Sequence, residues 1–363
     1  MIRAAAWLLL AWLAGVTPAA ADLPADRVAA LHRGVNITGW FRFPASLDPS
    51  VLRTWLSDTA MHDLRTAGFT FVRLAVDPAL LDDRPVAAVL VEAVRRLQHA
   101  GLTVAVSLHP ANWHLETSAD DRSRLRSTWR RLAADLRALD PALTLPEVLN
   151  EPVYPNDPAG WQALQHAVLG DIRAALPANT VVLTGQDWGS IGGLLALVPE
   201  TDPNVVYSFH FYDPPELTAL AAYRPGLDRL ALARLPFPAD DTPACEAVTE
   251  RTGDAATRGL MQFYCALHWT PARIDAAIGR AAAWGRQHHV TLLAGEFGAT
   301  AALNTPARLA WLGRVRASCE AASIGWALWG YDDVMGLAVS RPPPQRPVLD
   351  RDVLAALGLT ALP

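Results

Sequence analysis

Residues 69–108 read FTFVRLAVDPALLDDRPVAAVLVEAVRRLQHAGLTVAVSL. Two apolar, β-prone runs, FTFVRLAV at 69–76 and LTVAVSL at 102–108, enclose VAAVLVEAVRRLQHA at 86–100, whose apolar residues recur at helical spacing. A strand that is apolar on both faces needs cover on both sides. A helix between two such strands carries the chain back, so that the second strand lies parallel to the first. The stretch therefore predicts a β–α–β unit.

The same alternation extends in both directions. GVNIT at 34–38 precedes the unit, and TLPEVL at 144–149, VVLTG at 181–185, VVYSFHF at 205–211, VTLLAGEF at 290–297 and SIGWALW at 323–329 follow it. Helical segments such as RLAWLGRVRASCEAA at 308–322 lie between. This predicts the α/β class and a (β/α)8 barrel, a TIM barrel, as a single domain over 22–363. An open doubly wound sheet is the alternative. It usually carries a Gly-rich phosphate loop after its first strand, and GVNITGWFRFP contains no GxGxxG. Residues 213–271, rich in Pro, Asp and Ala, read as a loop insertion after the sixth strand.

At the chain start, Arg3, the apolar run 4–16 and PAAA at 18–21 read as a signal peptide spanning 1–21. The run is short against the roughly 20 residues of a membrane span. Export to the periplasm or the medium is expected, with no membrane segment after cleavage. The net charge is −5, with no lysine and no basic run, so there is no electrostatic footprint for nucleic acid. Cys245, Cys265 and Cys319 have no CxxC or metal spacing. Cys245 and Cys265 share the inserted loop while Cys319 lies in a helical segment, so a Cys245–Cys265 disulfide is expected in an exported chain.

In such barrels chemistry gathers at the C-terminal ends of the strands. Arg73 lies in strand two, His109 follows strand three, Asn150 and Glu151 end strand four, His210 and Tyr212 end strand six, Glu296 ends strand seven and Trp329 ends strand eight. Closure would set Glu151 and Glu296 facing each other across the mouth. Facing carboxylates are what glycoside cleavage requires, one attacking the anomeric carbon while the other protonates the departing oxygen.

At these residues the chain resembles glycoside hydrolase family five, the cellulase-type retaining barrels. VLNEP, SFHFYDP, LLAGEFG and GWALWGYD match the family's motifs at strands four, six, seven and eight, and FVRLAV and SLHP match those at strands two and three. The likeness runs from about Arg33 to Leu337, nearly all of the mature chain. It implies Glu151 as acid/base and Glu296 as nucleophile, with Arg73 and Tyr212 holding Glu296 and His210 beside Glu151. It also implies Asn150 on the sugar 2-hydroxyl, His109 shaping that subsite and Trp329 as a stacking face. The implied substrate is a polysaccharide or oligosaccharide, favoured as a β-1,4-glucan, with β-1,3-glucan or mannan as alternatives. No cofactor or metal is implied, and a monomer is expected.

Further readings come from the residues alone. Trp40, Trp113 and Trp188 follow strands one, three and five and are candidate sugar-stacking residues, with core packing equally open to each. Trp129, Trp161, Trp284 and Trp311 lie in helical segments and are assigned to the outer core. Asp332 and Asp333 read equally as hydroxyl binders or as a solvated turn. A metal-dependent hydrolase would draw on His109, His114, Asp77, Asp187 and Asp213, but no HxH marks the first strand. A non-catalytic carbohydrate-binding barrel is the alternative of a different class. A retaining pair predicts carboxylates about 5–5.5 Å apart, and a Glu151 pKa above that of Glu296 because Arg73 favours ionised Glu296.

Overall fold

The structure is a computed structural model that describes residues 23–339 and 347–360. The signal peptide expected at 1–21 lies outside the described residues. Eight parallel strands pair in chain order: β1 (Arg33–Phe41), β2 (Phe71–Val76), β3 (Thr103–Leu108), β4 (Thr144–Glu147), β5 (Val181–Thr184), β6 (Val205–Phe211), β7 (Thr291–Phe297) and β8 (Gly325–Leu328). β8 closes on β1, so the expected barrel is observed and the open sheet is not.

Helices follow the strands in turn: α1 (Asp58–Ala67), α2 (Arg84–His99), α3 (Ala119–Leu136), α4 (Pro158–Arg173), α5 (Ile191–Leu195), α6 (Pro271–His288), α7 (Thr305–Ala321) and α8 (Arg351–Ala356). Ser57, Asp83, Ser118, Asp157, Ser190, Asn304 and Asp350 each accept a first-turn N–H, so all of these helices except α6 begin on a side-chain cap. Among the described residues no helix is long and apolar enough to cross a membrane.

The two-residue period of a strand sorts the barrel interior into layers. Phe71, Ala105, Leu145, Val182, Val206, Leu293 and Ala327 form one apolar layer, one residue from each of β2 to β8. At the matching place on β1 stands Gly34, where a Cβ would lie 2.2 Å from the Phe71 ring; the missing side chain is what lets that ring fill the barrel. Two residues further along come Asn36, Arg73, Ser107, Glu147, Thr184 and Ser208, all buried. The interior thus turns from apolar to polar within one step towards the C-terminal rim.

On β7 strict alternation from Leu293 would aim Gly295 inward and Glu296 outward. The register shifts instead, with Ala294 opposite Phe209 and Glu296 opposite His210, leaving Gly295 as the extra residue of a bulge. A Cβ on Gly295 would come within 2.3 Å of Ser208 Oγ, so the bulge needs glycine there. Its effect is to turn Glu296 into the barrel and Phe297 out against Trp311 and Trp326.

Outside the barrel, buried indoles fix the helices to strand ends. Trp129 on α3 donates to the Val148 carbonyl (2.7 Å), Trp161 on α4 to that of Thr184 (2.8 Å) and Trp311 on α7 to that of Asp213 (3.0 Å). These three and Trp284 on α6 lie in the outer core, as their helical positions imply.

The 213–271 segment carries four short helices, Pro215–Thr218, Arg229–Leu232, Thr242–Glu250 and Ala255–Ala266. Its Leu232, Leu235, Met261 and Tyr264 join the outer core, and Asn304, the cap of α7, donates to the Ala233 and Leu235 carbonyls. Cys245 and Cys265 are bonded across its last two helices, with Cα atoms 5.8 Å apart, and Cys319 is a buried free thiol. Replacing both bridged cysteines by serine should lower stability by about 3 kcal/mol, the chain-entropy value for a loop of about 20 residues. Denaturant titration of the oxidised parent against the double variant measures it, and an unchanged midpoint would mean that packing alone holds this segment.

Candidate active site

The centre of the polar layer is Arg73, fully buried on β2. Its Nε and Nη2 donate to Glu147 (2.6 and 2.5 Å), Nη1 to Asn36 Oδ1 (2.9 Å) and Glu296 Oε1 (2.5 Å), and Nη2 also to Ser107 Oγ (3.0 Å) and Asn150 Oδ1 (2.9 Å). A buried cation requires such pairing. Arg73 thus holds two different glutamates, the wholly buried Glu147 and the expected partner Glu296. Its two carboxylate partners outweigh its burial and raise its pKa. Glu147 and Asn36 were not among the sequence candidates. The signal for Glu147 was an acid inside an otherwise apolar strand, TLPEVL. Asn36 also ties β1 to β7 and β8, donating to the Gly295 and Leu328 carbonyls.

Glu296 is buried, and Tyr212 donates to its second oxygen at 2.9 Å. His210 Nδ1 lies 3.1 Å from Glu151 Oε1 and 3.5 Å from Glu296 Oε2. An oxygen of Glu151 lies within 4.8 Å of one of Glu296. The strand-end pair read from the sequence is therefore brought together, with His210 between its members. Glu151 is half-buried and sits at φ 43°, in the left-handed region, as do Asp187 (φ 63°) and Trp188 (φ 57°) on the facing loop. Backbone strain of this kind gathers at functional sites. The two loops are joined where Trp188 N–H donates to the Pro152 carbonyl.

The pKa shifts of the two carboxyls run opposite to the expected directions. Burial pushes the Glu296 carboxyl above its ordinary value despite His210 and Arg73. Burial also opposes ionisation of Glu151, but the hydrogen bond and charge of His210, with Arg73 and Arg42, overcome it and leave that carboxyl below its ordinary value. His210 is raised: burial acts against its charge, and Glu296 and Glu151 outweigh it. The imidazole and the two carboxyls thus hold protons as one set. His109 is kept neutral by burial, helped by Arg73 and Arg42, and among the described residues neither of its ring nitrogens has a partner. His210 Nε2 is likewise unpartnered.

Trp329 stacks on His109 with centroids 5.9 Å apart and keeps part of its surface open. Trp113 and the largely exposed Trp188 line a cleft of about 480 Å³ together with Asn150, Glu151, His114 and Val153. Trp40 is a correction. Its ring is fully buried, stacks on Trp55 and donates to the Leu52 carbonyl, so it presents no face to a ligand. The cause is strand length, because β1 continues to Phe41 and Trp40 is still inside it. Asp332 accepts from the Thr38 and Gly39 amides and Asp333 from Thr38 Oγ1 and the Met335 amide, bracing the β8 loop on β1. Burial pushes Asp333 up to about 6. Of the residues considered for a metal, Asp77 and Asp187 serve turns at Ala79 and Ser190, and His114 is exposed. Among the described residues the group of possible ligands that does assemble is Glu151, His210 and Glu296.

A closed parallel barrel whose fourth and seventh strands deliver facing carboxylates to one rim defines the barrel class of glycoside hydrolases. The chain belongs to the cellulase family, glycosyl hydrolase family 5, whose match covers residues 34–333. Endoglucanase 3 of Fibrobacter succinogenes is 24% identical over 83% of this chain, and the chain spans 49% of that relative's length. Endoglucanase C of Acetivibrio thermocellus is 22% identical, over 82% of this chain and 90% of its own. Among solved structures, endoglucanase Cel5A of Thermotoga maritima shares the fold with a TM-score of 0.70 at 21% identity, covering 92% of this chain and 98% of the other.

Proposed function

We propose that the protein is an exported, retaining, endo-acting β-1,4-glucanase, with Glu296 as nucleophile and Glu151 as acid/base. The observation that carries the reading is the pair itself: carboxylate oxygens within 4.8 Å, one carboxylate anchored and one facing a cleft. An inverting pair stands roughly 6.5–9.5 Å apart to admit a water, so this spacing favours direct attack.

Arg73 and Tyr212 fix the Glu296 oxygens for that attack on the anomeric carbon. The glycosidic bond breaks as Glu151 protonates the departing oxygen, and Glu151, now ionised, then takes a proton from the water that releases the glycosyl group. The proton Glu151 needs is at hand on His210, 3.1 Å away. Asn150 spends its carbonyl oxygen on Arg73 and so keeps its amide N–H groups for the sugar 2-hydroxyl. Glucan is favoured over mannan because the curated relatives that match are endoglucanases.

A reducing-sugar assay across soluble β-1,4-glucan, β-1,3-glucan and β-mannan tests the substrate, and NMR at early times tests the stereochemistry. The β-1,4-glucan should be cleaved fastest, with the β-anomer appearing first. An α-anomer appearing first would mean inversion and would remove Glu296 as nucleophile.

A further inference from the structure

Arg42 immediately follows the last residue of β1 and was not singled out in the sequence. Its guanidinium carbon lies 4.8 Å from the Phe43 ring centroid and 5.5 Å from that of Trp329. It is half-buried, and its backbone N–H donates to the Thr38 carbonyl, yet among the described residues its guanidinium makes no hydrogen bond and has no carboxylate oxygen within 4.0 Å. Other shielded arginines behave differently. Arg308 donates to the Ala299, Met335 and Gly336 carbonyls, Arg173 to Asp202 and to the Leu176, Asn179 and Asn204 carbonyls, and Arg73 to five side chains.

A guanidinium held against aromatic rings keeps its N–H donors at its edge, the arrangement that suits an in-plane, two-point grip on a carboxylate. Phe43 is 65% exposed, so this edge stands at the open rim, and Trp329 connects it to His109 beside the reacting centre. The surrounding charges do not satisfy Arg42. Burial lowers its pKa, and Glu296 and Glu151 act on it only through space. Asp332 and Asp333 are engaged with Thr38, Gly39 and Met335. With a net charge of −5 the chain as a whole repels an anion, so any gain for an acidic substrate must come from a local cation such as this one.

We infer that Arg42 is a specificity residue that grips a carboxylate on the glycan, so that the preferred substrate is a β-glucan bearing acidic substituents rather than a neutral one. This rests on the glucanase reading above. The carboxylate could belong to a C6-oxidised sugar or to a substituent on a hydroxyl, and matched probes separate the two. The test compares kcat/KM of the parent, Arg42→Met and Arg42→Lys on neutral cello-oligosaccharides, the same oligosaccharides oxidised at C6, and carboxymethyl- against hydroxyethyl-cellulose of equal substitution. Calorimetric binding of the oligosaccharides runs alongside.

The parent should favour one acidic series over its neutral partner by about tenfold or more, the worth of a hydrogen bond to a charged group. Arg42→Met should erase the preference and Arg42→Lys restore part of it, and salt should weaken it in the parent. Equal losses on neutral and acidic substrates in Arg42→Met would make Arg42 a positioning residue for Trp329 and overturn the inference. Cleavage of neutral glucan with no gain for either acidic series would overturn it alone and leave the glucanase reading standing. Failure to cleave or bind any of these glucans would bring down that reading, and this inference with it.

Discussion

Glu296→Ala should lose turnover of every substrate by at least about 10⁴-fold, the scale seen when a nucleophile is removed from a preorganised site. No neighbour can replace it. Tyr212 is held in its neutral form by burial and by the two glutamates, and Glu147 is locked on Arg73. Glu151→Ala should behave differently. Aryl glycosides with acidic leaving groups need little protonation, so they should retain much of the first step, while natural glucans lose about 10²–10⁴-fold. Azide should accelerate the Glu151 variant on the aryl substrate, because a small anion can replace the water that Glu151 would have activated. Steady-state rates on an activated and an unactivated substrate, with and without azide, separate the roles. Equal losses on both substrates in both variants would overturn the assignment.

Arg73→Met should have the largest effect on stability. It would leave Glu147, with no solvent exposure, and Glu296 as buried carboxylates without their counter-ion, a change that typically costs about 3–5 kcal/mol. Adding Glu147→Gln should recover part of that loss by removing one of the stranded charges, while catalysis stays absent because Glu296 is still unanchored. Denaturant midpoints of the single and double variants check the coupling. A double variant no more stable than the single one would mean that Glu147 is not the counter-charge described.

All eight strands were legible because a doubly covered strand must be apolar through most of its length, and such runs differ from helical periodicity on sight. The facing carboxylate pair was legible because Glu151 and Glu296 interrupt apolar runs at their C-terminal ends. Other features left weaker traces. The inward turn of Glu296 depends on the Gly295 bulge, a property of backbone register that alternation alone contradicts. Trp40 was misplaced because one or two further residues of β1 decide whether a ring faces the mouth or the helices. Glu147 and Asn36 act through contacts between strands distant in sequence, Arg73 foremost among them, which no local pattern reveals. The order of the two glutamate pKa values was misjudged for a related reason. The sequence shows Arg73 as the cation beside Glu296, whereas the burial of Glu296 outweighs that cation and the His210 hydrogen bond favours ionised Glu151.

The indole anchors divide the molecule into a part that must stay constant and a part free to diversify. Trp129 holds the Val148 carbonyl two residues before Asn150, Trp161 holds the end of β5, and Trp311 holds Asp213 just past Tyr212. Each anchor comes from an outer helix, so the places where the reactive loops begin are fixed from behind. Insertions, deletions and substitutions beyond those points can reshape the rim, including the Trp113 and Trp188 cleft, without moving the Glu151–Glu296 pair. Descendants of such a barrel can therefore change which polymer they accept while inheriting the same bond-breaking chemistry.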